Sequence, residues 1–159
     1  MLVINPQCRR AEISEAAEIA QLLRSSIIEL CVADHENREA PLQAWLANKT
    51  AANVETWICN PANIMLVAII ERRIGGVGCL RANGRVILNY VSPLYRFKGV
   101  SKAVLEALEQ HGQALGLRSL ELESTKTAHR FYRRAGFADT GAPETKHGIP
   151  AYPMAKSLV

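Results

Sequence analysis

The chain has 159 residues, the length of one domain, and enough surface to bury for a core of its own. Its 48% apolar and 21% charged residues argue against intrinsic disorder, and no run of about 18 apolar residues predicts a membrane span. The net charge of +4, from 19 Lys+Arg against 15 Asp+Glu, suits an anionic small ligand and is too mild to argue for nucleic acid.

Aromatic residues are few and are not interleaved with arginine, as single-strand binding would need. The opening MLVINPQCRRAE shows no hydrophobic signal core, so a cytoplasmic protein is expected. Cys8, Cys31, Cys59 and Cys79 are scattered without C-x-x-C or His-rich spacing, which predicts free thiols and no metal site.

In chain order, residues 2–10 read as a first strand. Ser14 is the expected N-cap of a helix whose stripe is Ile19, Leu22, Leu23, Ile27 and Leu30, with Glu15 and Glu18 near its positive end. Asp34 to Glu39 is polar and reads as a loop. Pro41 suits the first turn of a second helix, with Leu42, Trp45 and Leu46 on its apolar face and Lys49-Thr50 at its end. A third helix, from Ala52 to Cys59, stops before Pro61.

Ile64 to Ile70 is a continuous apolar run, a strand covered on both faces. Turns at Glu71-Arg72-Arg73 and Ala82-Asn83-Gly84 separate it from strands at Ile74 to Arg81 and Arg85 to Ser92. The three predict an antiparallel meander. A helix from Gly99 to Leu115 carries Val100, Ala103, Val104, Ala107 and Leu108 on one stripe, with His111 as a packed boundary histidine and Gly116 as the stop. Leu117 to Glu123 alternates as a strand, predicting a parallel pair with the Arg85 strand through a right-handed crossover. Ala128, Phe131, Tyr132 and Ala135 line the next helix. Phe137 to Thr140 and Ile149 to Lys156 read as closing strands around a turn-rich Gly141 to Gly148. The class is α/β, without repeat or linker, hence one domain over 1–159.

The strand-to-helix turn at Arg96, Phe97, Lys98, Gly99, Val100, Ser101 and Lys102 draws attention. A helix start has unpaired N–H groups and a partial positive charge, and Gly99 lets backbone approach a ligand. Arg96, Lys98 and Lys102 add full charges, so the local physics says phosphate or pyrophosphate. The plainer reading is a turn that only starts a helix. Neither G-x-x-x-x-G-K-S/T nor G-x-G-x-x-G occurs; Gly75, Gly76 and Gly78 precede a strand-like run.

Here the chain resembles the GCN5-related N-acetyltransferase (GNAT) family. That family's loop, Arg/Gln-x-x-Gly-x-Gly/Ala, stands here as Arg96 to Ser101, and its later N-x-x-A-x-x-x-Y-x-x-x-G-F as Thr125 to Phe137, with Ala128, Tyr132, Gly136 and Phe137 in place. Ser101 and Thr125 depart from the pattern, where Gly or Ala and Asn are usual. The two signatures cover about a third of the chain.

The resemblance implies a three-layer α/β sandwich with a mixed, mostly antiparallel, splayed central sheet. It implies acetyl-CoA as acetyl donor, with pyrophosphate over residues 97–102 and the pantetheine arm against Tyr90 and Val91. It implies Tyr132 as general acid towards the coenzyme A sulfur, and an amine acceptor. The base stays open among Glu121, Glu123, the Asp34-His35-Glu36 loop and water. A small-molecule acceptor is expected; protein N-termini or lysines, and a non-catalytic acyl-CoA-binding module, are the alternatives. A homodimer is a further expectation from the family. A nucleic-acid role for Arg130, Arg133 and Arg134 has only that one short cluster behind it.

Overall fold

The computed structural model describes residues 5–159, so positions 2–4 of the expected first strand lie outside the described residues. The strand itself, β1, is Gln7–Arg10. The predicted meander forms from β2 (Asn63–Ile70), β3 (Arg73–Arg81) and β4 (Val86–Val91), with β1 on the far edge, in the order β1-β2-β3-β4, all antiparallel. Glu71 and Arg72 both take positive φ, the conformation that a two-residue hairpin needs for its twist. At the next turn Gly84 has φ 96°, and Asn83 Oδ1 accepts from the Arg85 N–H at 3.1 Å.

Strand β2 is buried almost throughout because both faces are covered. Met65 and Val67 face α1 (Ala16–Leu30) and α4 (Ala51–Cys59), together with Ile19, Leu23, Val54, Val77 and Cys79. Ile64, Leu66 and Ala68 face α5 (Val100–Ala114), through Val104, Leu105 and Leu108. Gly76 and Gly78 of β3 let α5 lie flush. A Cβ at Gly76 would sit 2.5 Å from Val100 Cγ1, and one at Gly78 would sit 2.3 Å from Val104 Cγ1. These glycines serve helix packing.

A second sheet follows α5. Strand β5 (Ser119–Ser124) pairs with β8 (Ile149–Ser157), which pairs with β6 (Ala138–Asp139), all antiparallel. Leu120 and Leu122 point into the core that α5 shares, and Glu121 and Glu123 point out. The six-residue α6 (His129–Arg134) follows β5. The architecture is a mixed, mostly antiparallel, splayed α/β sandwich with helices on both sides.

Several expectations need correction. Ser14 does not cap α1. A 3-10 turn over Ile13–Glu15 precedes it, and the Glu15 carboxylate accepts from the Glu12 N–H at 2.8 Å while pairing with Arg9. The segment expected to be a loop from Asp34 to Glu39 begins inside a short helix, α2 (Val32–His35), whose Asp34 and His35 are fully buried. The next helix, α3 (Glu39–Leu46), ends before Lys49-Thr50, and Thr50 instead caps α4 by accepting from the Asn53 N–H. The Gly141 to Gly148 connection contains a strand, β7 (Glu144–Lys146), paired with β8. The expected parallel pair between β4 and β5 shrinks to one bridge, Arg85 with Glu121.

Candidate active site

That single bridge sets the site. The Glu121 N–H donates to Gly84 O at 2.9 Å, and beyond this point no ladder joins β4 to β5 among the described residues. Two sheet edges therefore face each other unpaired. Their backbone N–H and C=O groups need partners, which water or a ligand must provide. Between them lies a cleft of ≈ 450 Å³. Helix α5 packs on one face of the first sheet and α1 on the other, so the cleft runs from the α5 side to the α1 side.

On the α5 side the cleft is lined by Tyr95, Arg96, Phe97, Gly99, Val100, Ser101 and Lys102. Gly99 is the helix N-cap with φ 77° and brings no side-chain cap. The first α5 amide to find a helical acceptor is that of Ala103, on Gly99 O at 3.0 Å. The amides of Val100, Ser101 and Lys102 are thus available to an anion, with Arg96 and Lys102 beside them. Phe97 also takes positive φ, is 90% exposed, and carries the Arg96 guanidinium 4.6 Å from its ring centroid. A Cβ at Gly99 would meet nothing within 4 Å, so the turn has open space above it.

In the middle of the cleft Asn89, Tyr90 and Val91 of β4 face Leu122, Ala128, Phe131 and Tyr132. Tyr132 is buried against Phe131 and Phe137. Burial pushes its phenol up to about 12, the Asn89 amide pulling it back in part. The Asn89 Oδ1 is itself buried with no hydrogen-bond partner, a polar atom left over beside the phenol. The Tyr90 hydroxyl accepts from Trp45 Nε1 at 3.3 Å, and burial raises that phenol as well.

The α1 side is walled by Ser26, Leu30, Cys31, Ile87, Glu123, Thr125 and Thr127. Burial, helped by nearby Asp34, pushes the Cys31 thiol up to about 12. Glu123 is held by Lys146 at 2.6 Å and by Arg85 at 2.9 Å, and those partners, Lys146 first, keep its carboxyl below the usual range. The other groups weighed as bases lie elsewhere: Glu121 and Glu36 point to solvent, and the Asp34 carboxylate and His35 imidazole are buried outside the lining.

The cleft therefore gathers Tyr90, Val91, Arg96, Phe97, Gly99, Val100, Ser101, Lys102 and Tyr132 in one place. Lys98 is not in the lining; its ammonium lies 5.9 Å from the Tyr95 ring centroid. Thr125, which departs from the expected Asn, uses its Oγ1 to accept from the Ala128 N–H at 3.0 Å and so caps the turn into α6. No motif marks Ser26, Leu30 and Cys31, which lie on the last turns of α1 and at its C-cap. Asn89, adjacent to Tyr90 on a strand already assigned to the cleft, could have been found from that position.

Residues 31–158 match the family described as Acetyltransferase (GNAT) domain. No curated protein sequence matches the chain significantly. Among solved structures, a GCN5-related N-acetyltransferase from Rhodopseudomonas palustris superposes with TM-score 0.87 at 22% identity, covering 99% of this chain and 98% of that one. The PaiA N-acetyltransferase from Thermoplasma acidophilum, solved with coenzyme A, gives 0.81 at 18% identity over 96% and 99% of the two chains. An aminoglycoside 6'-N-acetyltransferase complexed with coenzyme A gives 0.72 at 14% identity over 96% and 97%.

Proposed function

The chain belongs to the GNAT acetyltransferase family, and on that premise we propose that it is an N-acetyltransferase, one domain that moves the acetyl group of acetyl-CoA to the amine of a small molecule. The observation that carries this is a single cleft with an anion-binding helix start at one side, unpaired strand edges in the middle, and a buried phenol between them. The fit to acetyl-CoA is chemical. The amides of residues 100–102, with Arg96 and Lys102, suit a pyrophosphate. The open β4 edge at Tyr90 and Val91 suits the amide groups of a pantetheine arm, by strand addition.

The same residues support direct attack within a ternary complex. Cys31 is the one thiol lining the cleft among the described residues, and at about 12 it stays protonated at neutral pH and is a poor acyl carrier. Tyr132 is the general acid towards the departing sulfur. With the phenol near 12 and a thiol near 8.5, complete proton transfer is uphill by on the order of 5 kcal/mol, so Tyr132 acts first as a hydrogen-bond donor to the growing thiolate. Such positioned donors contribute roughly 100- to 10,000-fold.

The lining also bears on the acceptor. It contains no histidine, and its one carboxylate, Glu123, is tied to two cations. An alkyl amine with pKa about 10.4 is neutral roughly once in 2,500 molecules at pH 7, a cost of about 4.6 kcal/mol, against about 1.4 kcal/mol for an α-amino group near 8. A site without a free base favours the second. We place short peptides, amino-acid amides and other low-pKa small amines ahead of lysine side chains and polyamines. The test is coenzyme A release from acetyl-CoA over a panel of amines graded by pKa, with Tyr132→Phe run in parallel. Release should favour low-pKa amines and fall about 100-fold or more in the variant. Release from no amine would leave a non-catalytic acyl-CoA-binding module, and unchanged turnover in Tyr132→Phe would remove the acid role.

A further inference from the structure

We propose that Asp34 is a positioning residue: its carboxylate pins the turn at residues 125–128 and, through that turn, sets Tyr132 at the cleft. The proposal rests on the reading of Tyr132 given above. Asp34 is 1% exposed and lies outside the cleft lining, separated from it by Thr125 and Thr127. Oδ1 accepts from the Lys126 N–H at 2.6 Å, and Oδ2 accepts from the Thr127 N–H at 3.2 Å and from the Thr127 hydroxyl. Both oxygens are thus committed to a segment more than ninety residues away in sequence.

That segment needs an external hold. Helix α6 has only six residues, far below the length at which a helix is stable by itself. Its first intrahelical bond to the phenol-bearing residue runs from the Tyr132 N–H to Ala128 O, and the Ala128 N–H is in turn held by Thr125 Oγ1. Asp34 grips the two amides between those positions. The neighbouring His35 anchors the other end of the brace. Its Nδ1 accepts from the Asn37 N–H at 3.0 Å, which leaves Nε2 to donate to Ile27 O at 2.9 Å. The short helix α2 therefore ties the end of α1, which supplies Ser26 and Leu30 and is capped by Cys31, to the start of the helix that carries Tyr132.

The experiment compares wild type, Asp34→Asn, Tyr132→Phe and the double variant. In Asp34→Asn, kcat should fall about 10- to 100-fold, the scale of a misplaced catalytic group. KM for acetyl-CoA should stay within roughly threefold. The double variant should be no more than about twofold slower than Tyr132→Phe, because the brace acts through the phenol. Amide hydrogen exchange at Lys126 and Thr127 should quicken by about tenfold or more. Thr127→Val removes only the hydroxyl bond; it should show the same pattern at smaller size, and it carries the test if Asp34→Asn does not fold.

Unchanged kcat, losses that multiply in the double variant, or the disappearance of a limb of the pH–rate profile would each overturn the proposal; the last would make Asp34 a base. If Tyr132→Phe turns over like wild type, the acid reading falls by itself. The pinning of the turn is then decided by hydrogen exchange, and unchanged protection of both amides in Asp34→Asn overturns that as well.

Discussion

The Tyr132 phenol, pushed up to about 12 by burial, holds its proton at neutral and mildly alkaline pH. As a donor it needs that proton, so the enzyme should show no alkaline loss of kcat/KM below about pH 10, and the rate should climb through the acceptor's own pKa. A descending limb near pH 7 to 8 in the kcat/KM profile would point to a different acid. Lys49 gives a second pH test. Burial lowers its ammonium from 10.5 to about 8, and its Nζ finds only Trp45 O and Asn48 Oδ1. Between those values the unfolded chain binds more protons than the folded one, so stability rises with pH through that window. Below about pH 8 the cost is complete, on the order of 3 kcal/mol before the two hydrogen bonds offset part of it. Lys49→Met should therefore stabilise the protein by about 1–2 kcal/mol in urea unfolding at pH 7 and by little near pH 10.5. Equal effects at both pH values would contradict it.

At the level of elements, the contact of β3 with α5 is the tightest constraint. Adding a Cβ at Gly78 forces Val104 and Leu108 to move, and overpacking of this kind costs about 1–3 kcal/mol. Thermal unfolding of Gly78→Ala should drop by roughly 4–8 °C. Gly99→Ala, with open space and only a positive φ to strain, should lose about 1 kcal/mol. The reverse order would show that α5 does not lie where the structure puts it. Most elements were legible because local chemistry marks them: the Asn83-Gly84 turn, the unbroken run from Ile64 to Ile70, and Gly116 ending α5 at φ 76°. The misreadings have a common cause. Asp34, His35 and Glu36 look like a solvated loop, and only partners at Lys126 and Thr127 make Asp34 a buried brace. Likewise, strand-helix-strand order predicts a parallel pair, and nothing in the alternation of Leu120 to Glu123 says that pairing stops after one bridge.

Across the whole molecule, two apolar cores meet at the first sheet, and the parting of that sheet from the second makes the cleft. The placement of the turn into α5 and of Tyr132 along the cleft was legible because short motifs mark both. The α1 wall was not, because Ser26, Leu30 and Cys31 are brought there by tertiary packing. No helix among the described residues is long and apolar enough to cross a membrane. On the proposed function, the pyrophosphate of acetyl-CoA is received at the start of α5, by the amides of residues 100–102 with Arg96 and Lys102. Calorimetric titration of acetyl-CoA into wild type and Ser101→Glu tests it most directly. One-to-one binding by the wild type, weakened at least about 100-fold by a carboxylate placed against the phosphates, is the expected result. Absence of binding by the wild type, or equal binding by both proteins, would contradict it.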